Sequence, residues 1–188
     1  RSNHSHKYRD WKKTGHGAMD LKGAITQSCD VYYYKLASDM GVDSLSKYLE
    51  QFGFGEKTGI DLIGEASGIL PSRDWKRAAR NQPWYAGETV IMGIGQGYFL
   101  TSPLQLATAT AAFANNGDRL TPRLVKYTSD IKQASAQAID TEHHPVSVTN
   151  KRNWTEVHDA MVNVTEGKRG TAKRIRTPLY RIAGKTDT

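Results

Sequence analysis

Residues 1–188 hold one cysteine, Cys29, so no disulfide can close within the chain and cysteine usage does not report a redox compartment. No stretch reaches the about 18 consecutive apolar residues that a membrane-spanning helix needs, and no signal-peptide pattern is present. Hydrophobic residues make up only 38%, low for a compact domain, which suggests a solvent-rich domain or a piece of a larger one. Zinc-finger spacing, an aromatic RNA-binding motif and a basic recognition helix are all missing, so nucleic acid is not an expected partner. The net charge of +7 favours acidic partners, yet its lysines and arginines are scattered, with local excess only at Lys7–Lys13 and Lys168–Arg176. The length suffices for one sizeable core, and neither an internal repeat nor a clear domain boundary is visible.

What is present centres on Gln27–Tyr34, which sets a hydroxyl, the lone thiol and a carboxylate on three consecutive residues, Ser28, Cys29 and Asp30. Val31, Tyr34 and Ala37 then recur at helical spacing, placing the triplet at or just before a helix start. The commoner reading of such a triplet is an N-cap, a Ser or Asp oxygen satisfying the orphan amides of a first turn.

Taken in order, residues 1–17 are polar, with Gly15 and Gly17 bracketing His16 in a loop. Asp10, His16 and Cys29 offer oxygen, nitrogen and sulfur ligands of the kinds zinc accepts, at a spacing that matches no compact finger. His4, His6 or a residue upstream would have to supply a fourth ligand; otherwise the set is loop polarity plus a small buried thiol. Leu21–Met40 reads as helix, broken or capped near Ser28 and ended by Gly41. Asp43–Phe52 reads as a second helix with Val42, Leu45, Leu49 and Phe52 facing inward. Glu56–Leu70 is turn-rich, and Ser72–Trp84 is polar and basic with Trp75 and Trp84 as anchors. Thr89–Gly97, with glycines at 93, 95 and 97, reads as a strand or loop whose backbone packs closely against a neighbour. It lacks the Lys-Ser/Thr of a phosphate-binding loop. Ser102-Pro103-Leu104-Gln105 opens a helix with a cap, a first-turn proline and a capping-box glutamine, and Leu106, Ala109, Ala112 and Phe113 are its expected buried face. Leu120–Tyr127 reads as a strand or extended arm, and Thr128–Thr149 as an irregular, mobile loop. Trp154, Val157, Met161 and Val164 mark a last helix stopped by Gly167. Leu179–Ala183 reads as a strand running into Gly184-Lys185-Thr186-Asp187-Thr188, and both chain ends read as cuts.

The ordered set is specific. Ser28-x-Asp30 before a Tyr-rich helix, Phe52-Gly53-Phe54-Gly55 to Leu62, Thr89–Gly97 leading into Thr101–Ala107, and Ala183-Gly184-Lys185-Thr186 together resemble the transpeptidase domain of class B penicillin-binding proteins over essentially the whole chain. The resemblance is strongest to its elongation-specific group. It implies an α+β/mixed fold: part of the serine β-lactamase and penicillin-binding transpeptidase fold, mostly the helical part plus a sheet strand at the C-terminal end. Residues 1–188 would be one domain fragment, with the nucleophile segment upstream and the final strands and helix downstream. The activity implied is cross-linking of peptidoglycan stem peptides through a serine acyl-enzyme that β-lactams also form.

Carried over residue by residue, Ser28 and Asp30 match the second catalytic motif and Lys185 with Thr186 the third, with Thr188 in the position that binds the substrate carboxylate. The resemblance also implies zinc held by Asp10, His16, Cys29 and an aspartate before Arg1. The implied partners are stem peptides, β-lactams and a membrane glycosyltransferase, at the periplasmic face of the bacterial inner membrane. Two departures stand out. No Ser-x-x-Lys precedes Ser28; Ser44-Leu45-Ser46-Lys47 fits the letters but lies mid-helix, and Lys57-Thr58-Gly59 is a second decoy in a turn. Asp187 stands where the family has glycine, which would crowd the strand edge and repel an anionic substrate terminus. These departures suit an alternative, a non-catalytic β-lactam-sensing or scaffold domain of the same fold. A serine β-lactamase relative ranks lower, since no deacylating glutamate is assignable.

Overall fold

The computed structural model describes residues 8–129 and 137–186. Their backbone contacts divide into two compact units. Unit one comprises residues 8–42, 85–97 and 150–186; unit two comprises residues 43–84, 98–129 and 137–149.

In unit one, helix α1 (Leu21–Gln27) starts where the Asp20 carboxylate accepts the Gly23 amide at 2.7 Å. It stops at Ser28, and α2 (Asp30–Met40) follows with Cys29 as its flanking residue and no side-chain cap. The N-cap expectation for Ser28 is therefore corrected: Ser28 closes the preceding helix, and its side chain is used elsewhere. The strand-or-loop expectation for Thr89–Gly97 is also corrected. Residues Ala86–Met92 form helix α5, opened by the Glu88 carboxylate accepting the Tyr85 amide at 2.8 Å. The β-branched Thr89, Val90 and Ile91 favour strand only weakly, and packing of α5 on α2 overrides them. The expected close approach is real: a Cβ on Gly93 would lie 2.6 Å from the Ala37 Cβ. Helix α7 (Arg152–Glu166) ends at Gly167, as its stripe predicts, and packs on α1. Ile25, Ala160 and Val164 form the core there, flanked by Tyr33, Val157 and Met161.

The C-terminal segment is not a strand. Residues 179–183 have no ladder partner among the described residues, and Leu179 is 85% exposed. Two bonds tether the segment to α7: the Thr165 hydroxyl donates to the Ile182 carbonyl at 2.7 Å, and the Gly184 amide to the Met161 carbonyl at 3.2 Å. An extended segment becomes a strand only by pairing, so the sheet part of the sequence expectation stays unmade in these residues.

Unit two contains α3 (Val42–Glu50) from Asp43 onward, α4 (Arg73–Arg80) and α6 (Pro103–Ala114). It also holds two short antiparallel ribbons, β1 (Asp118–Leu120) with β4 (His143–Pro145), and β2 (Tyr127–Thr128) with β3 (Gln137–Ala138). The stretch 128–149 thus carries two strands where an irregular loop was expected, and residues 130–136 of it lie outside the described set. Ser102 and Gln105 make the expected capping box. The buried face of α6 is Gln105, Thr108, Ala109 and Ala112, while Leu106 is exposed. The inward face is rotated because Gln105 serves as an internal hub. Its amide nitrogen donates to the carbonyls of Glu56 (2.6 Å) and Ser67 (2.8 Å), and its oxygen accepts the Ser102 amide (2.8 Å). The basic stretch before Trp84 hides Lys76, buried under the rings of Trp84 and Tyr98.

Candidate functional site

Unit one brings Ser28 and Lys185 together. The Lys185 ammonium donates to the Ser28 hydroxyl oxygen at 2.6 Å, across 157 positions of sequence. It also donates to the Thr186 carbonyl. With a lone pair held by the ammonium, the Ser28 hydroxyl keeps its own proton to give, and the adjacent positive charge makes that proton easier to part with. The Thr186 hydroxyl meets that of Thr171 at 2.7 Å. Thr188 and Asp187 lie outside the described residues, as do His4 and His6.

Ser28 reaches this position by an unusual backbone. Its φ of 54° and ψ of 56° are left-handed, a conformation that costs an L-residue with a side chain about 1–2 kcal/mol. What holds it is Trp11, a residue the sequence reading passed over. The indole N–H donates to the Ser28 carbonyl at 2.9 Å and the Gln27 carbonyl at 3.1 Å. A tryptophan inside a polar loop was the available signal, because indole is a large apolar body that settles where its one donor finds an acceptor.

Trp11 also packs edge-on to His16, 5.4 Å between centroids, and so joins the Ser28 turn to a second cluster. One ligand atom each from Asp10, His16 and Cys29 lies within 4.8 Å of the others. Cys29 is buried, and the side chains of His16 and Asp10 are 1% and 4% exposed. Both ring nitrogens of His16 are buried without a hydrogen-bond partner among the described residues. The three residues line a cavity of about 520 Å³ that gives the cluster a path to solvent. Burial pushes the Cys29 thiol up, and the Asp10 carboxylate adds to this. Burial also acts upward on Asp10, but donors from Lys12, Cys29 and Val31, with His16 nearby, hold its carboxyl below the usual range. Burial and the Asp10 charge push the Asp30 carboxyl up, against the pull of the Trp11 amide and Lys185.

The donor set fits zinc in kind: one carboxylate, one imidazole and one thiol, with the His16 Nδ1 3.3 Å from the Asp10 carboxylate but hydrogen-bonded to nothing among the described residues. Tetrahedral ligands about 2.0–2.3 Å from zinc sit about 3.3–3.8 Å apart. The three atoms, within 4.8 Å of one another, would have at most about 1.5 Å to close.

The Ser-x-x-Lys decoy belongs elsewhere. Ser44 and Lys47 are exposed on α3 in unit two. A further literal match, Ser129-x-x-Lys132, was overlooked in the sequence; it follows β2 and runs into residues 130–136. Thr58 of the Lys-Thr-Gly decoy is buried and bonded to Glu65, which satisfies it locally.

The family model for the penicillin binding protein transpeptidase domain matches residues 1–188, and the chain belongs to that family. Its relatives include peptidoglycan D,D-transpeptidases MrdA and solved PBP2 structures, and also a stage V sporulation protein D of Bacillus subtilis. The chain is 45% identical over 184 residues to a peptidoglycan D,D-transpeptidase MrdA of Acinetobacter baumannii, covering 98% of this chain and 27% of that protein. It is 43% identical, with a TM-score of 0.87, to Pseudomonas aeruginosa PBP2, solved in complex with WCK 5153, covering 98% of this chain and 41% of that one. Helicobacter pylori PBP2, solved in complex with MreC, is 40% identical with a TM-score of 0.78, covering 90% of this chain and 30% of that one. The chain thus spans 27% to 41% of the length of these three relatives. The penicillin-binding transpeptidase fold is shown with them; the C-terminal strand within these residues is the part that differs from the sequence expectation.

Proposed function

We propose that the whole protein containing these residues is a peptidoglycan D,D-transpeptidase, with Ser28 and Lys185 in its proton-handling and carboxylate-binding machinery. A serine outside Ser28 attacks the carbonyl of the penultimate D-alanine of a stem peptide. The bond to the terminal D-alanine breaks, and the departing amine takes a proton from the Ser28 hydroxyl, whose oxygen Lys185 stabilises; the proton that the attacking serine gives up restores that hydroxyl. A neighbouring stem-peptide amine then displaces the serine from the acyl group, closing the cross-link. Asp30, whose carboxylate takes the Trp11 amide, would fix the Trp11 loop beside Ser28, and Thr186, with Thr188 as the family resemblance implies, would bind the substrate carboxylate. The single observation that carries this reading is the 2.6 Å Lys185–Ser28 contact, in a chain of this family.

Asp10, His16 and Cys29 would hold a zinc ion whose part is structural: it would keep the loop bearing Trp11 fixed, and through Trp11 the turn at Ser28. The protein would act at the periplasmic face of the inner membrane beside a membrane glycosyltransferase, and an MreC-type partner is supported by the Helicobacter pylori relative. Asp187 favours a second reading, a β-lactam-sensing or scaffold domain without turnover.

Fluorescent penicillin labelling of the whole protein tests the first reading. It expects a covalent label that is released slowly, slower label uptake in Ser28→Ala, and no adduct on residues 1–188 alone by mass spectrometry. A folded whole protein that never labels, or an adduct on Ser28 or Ser44, would overturn it. Labelling without cross-linking of stem peptides would favour the sensor.

A further inference from the structure

Unit two contains a cavity of about 410 Å³ that shares no residue with the Ser28–Lys185 site or the metal cluster. That volume lies at the small end of the range for small-molecule sites, roughly 300–1,000 Å³. Its wall is the β1–β4 ribbon and the segment that follows β1, facing the turn after Glu56.

One residue of this wall, Arg123, carries an unexplained donor. The Arg123 Nε is buried and has no hydrogen-bond partner among the described residues. Asp61, the carboxylate whose charge bears on Arg123, is already engaged. Its two oxygens accept the amides of Leu124 at 2.6 Å and Val125 at 2.9 Å. A buried guanidinium donor left unmade is costly, and native proteins answer such groups with a water, an ion or a ligand.

The rest of the lining decides which ligand. Arg119 is answered by Glu56 at 3.3 Å, and Lys57, Arg119 and Arg123 are balanced in charge by Glu56, Asp61 and Glu142. A wall with no net charge does not draw in a polyanion. It does suit a ligand that carries both signs, with its carboxylate on Arg123 and an ammonium on Glu142, whose exposed carboxylate has one contact among the described residues, to His144 at 3.8 Å. The Thr121 hydroxyl and His144 Nε2, 3.0 Å apart, add polar groups between the two poles.

We propose that this cavity is a second ligand site, for a short zwitterionic peptide with a free carboxylate and a free ammonium. Cell-wall stem peptides have that chemistry, so the source of the ligand rests on the reading above, while the cavity's chemistry does not. It would hold a stem without acting on it, keeping the enzyme on its polymer between turnovers.

The test is amide chemical-shift mapping on isotope-labelled chain titrated with the tripeptide L-alanyl-D-glutamyl-L-lysine. The expected result is saturable shifts at residues 121–125 and 142–144. Arg123→Gln and the C-terminal amide of the tripeptide should each weaken binding about tenfold or more, and Arg123→Lys less. Glu142→Gln, or acetylation of the tripeptide's lysine, should weaken it as well. Shifts untouched by Arg123→Gln, no shifts at these residues, or inorganic phosphate binding as well as the tripeptide would each overturn the proposal. Lys185→Gln separates the two readings, since it disables penicillin labelling of the whole protein and leaves these shifts in place.

Discussion

Replacing Ser28 by glycine and by alanine separates its backbone from its hydroxyl. Both variants lose the bond to Lys185, so that loss cancels when they are compared with each other. What remains is the left-handed backbone, φ 54° and ψ 56°. Alanine keeps a Cβ and bears the about 1–2 kcal/mol of that conformation; glycine does not. Glycine's freer unfolded chain takes back about 0.4–1 kcal/mol. The glycine variant should therefore be more stable than the alanine variant by about 1 kcal/mol, or about 2–4 °C in melting temperature for a chain of this size. Urea unfolding followed by tryptophan fluorescence measures this, and Trp11 sits directly on the Ser28 carbonyl as a local probe. Both variants should lose function equally, because both lack the hydroxyl. If alanine proves as stable as glycine, Ser28 is not held left-handed and the account of the Trp11 clamp fails.

Other perturbations have defined outcomes. Gln105→Leu strips three short hydrogen bonds from a buried position and should cost about 3 kcal/mol in urea unfolding, at about 1 kcal/mol each; a loss under about 1 kcal/mol would show that the hub is not formed. Protein prepared without chelator should contain zinc by elemental analysis, and Cys29→Ser should weaken its hold by at least the about 10–100-fold typical of losing an outer-shell partner; metal-free protein indifferent to the substitution sinks the assignment. The Leu124 and Val125 amides hold the Asp61 carboxyl below its ordinary range. A depressed pKa gives stability that is full above the unfolded carboxylate pKa, about 3.9, and lost as pH falls through the folded value. The stability gap between the natural chain and Asp61→Ala should therefore narrow on acidification below about pH 4, and a constant gap refutes the bonding.

What is local or chemical was legible in the residues alone. The capping box of Ser102 and Gln105 spans three residues, and the stops at Gly41 and Gly167 follow from single glycines, so both were legible without coordinates. The identity of the groups at the site, a hydroxyl, an ammonium, a thiol, an imidazole and two carboxylates, was legible too, because their order along the chain is specific. The resemblance already set Ser28 and Lys185 in one site, and the 2.6 Å contact agrees, but the geometry of their meeting came from the tertiary structure. Nothing near Lys185 in sequence says that its ammonium ends 2.6 Å from a hydroxyl 157 positions earlier. Nothing local puts Ser28 in a left-handed turn, since a residue with a Cβ takes that conformation only when packing, here Trp11, imposes it. The same reason explains the helix at Ala86–Met92 and the inward rotation of Gln105. Propensities there differ by less than about 1 kcal/mol, and long-range packing settles the choice. The C-terminal segment shows the converse: its residues are strand-like, but a strand is a property of a pair, and its partner is not among the described residues.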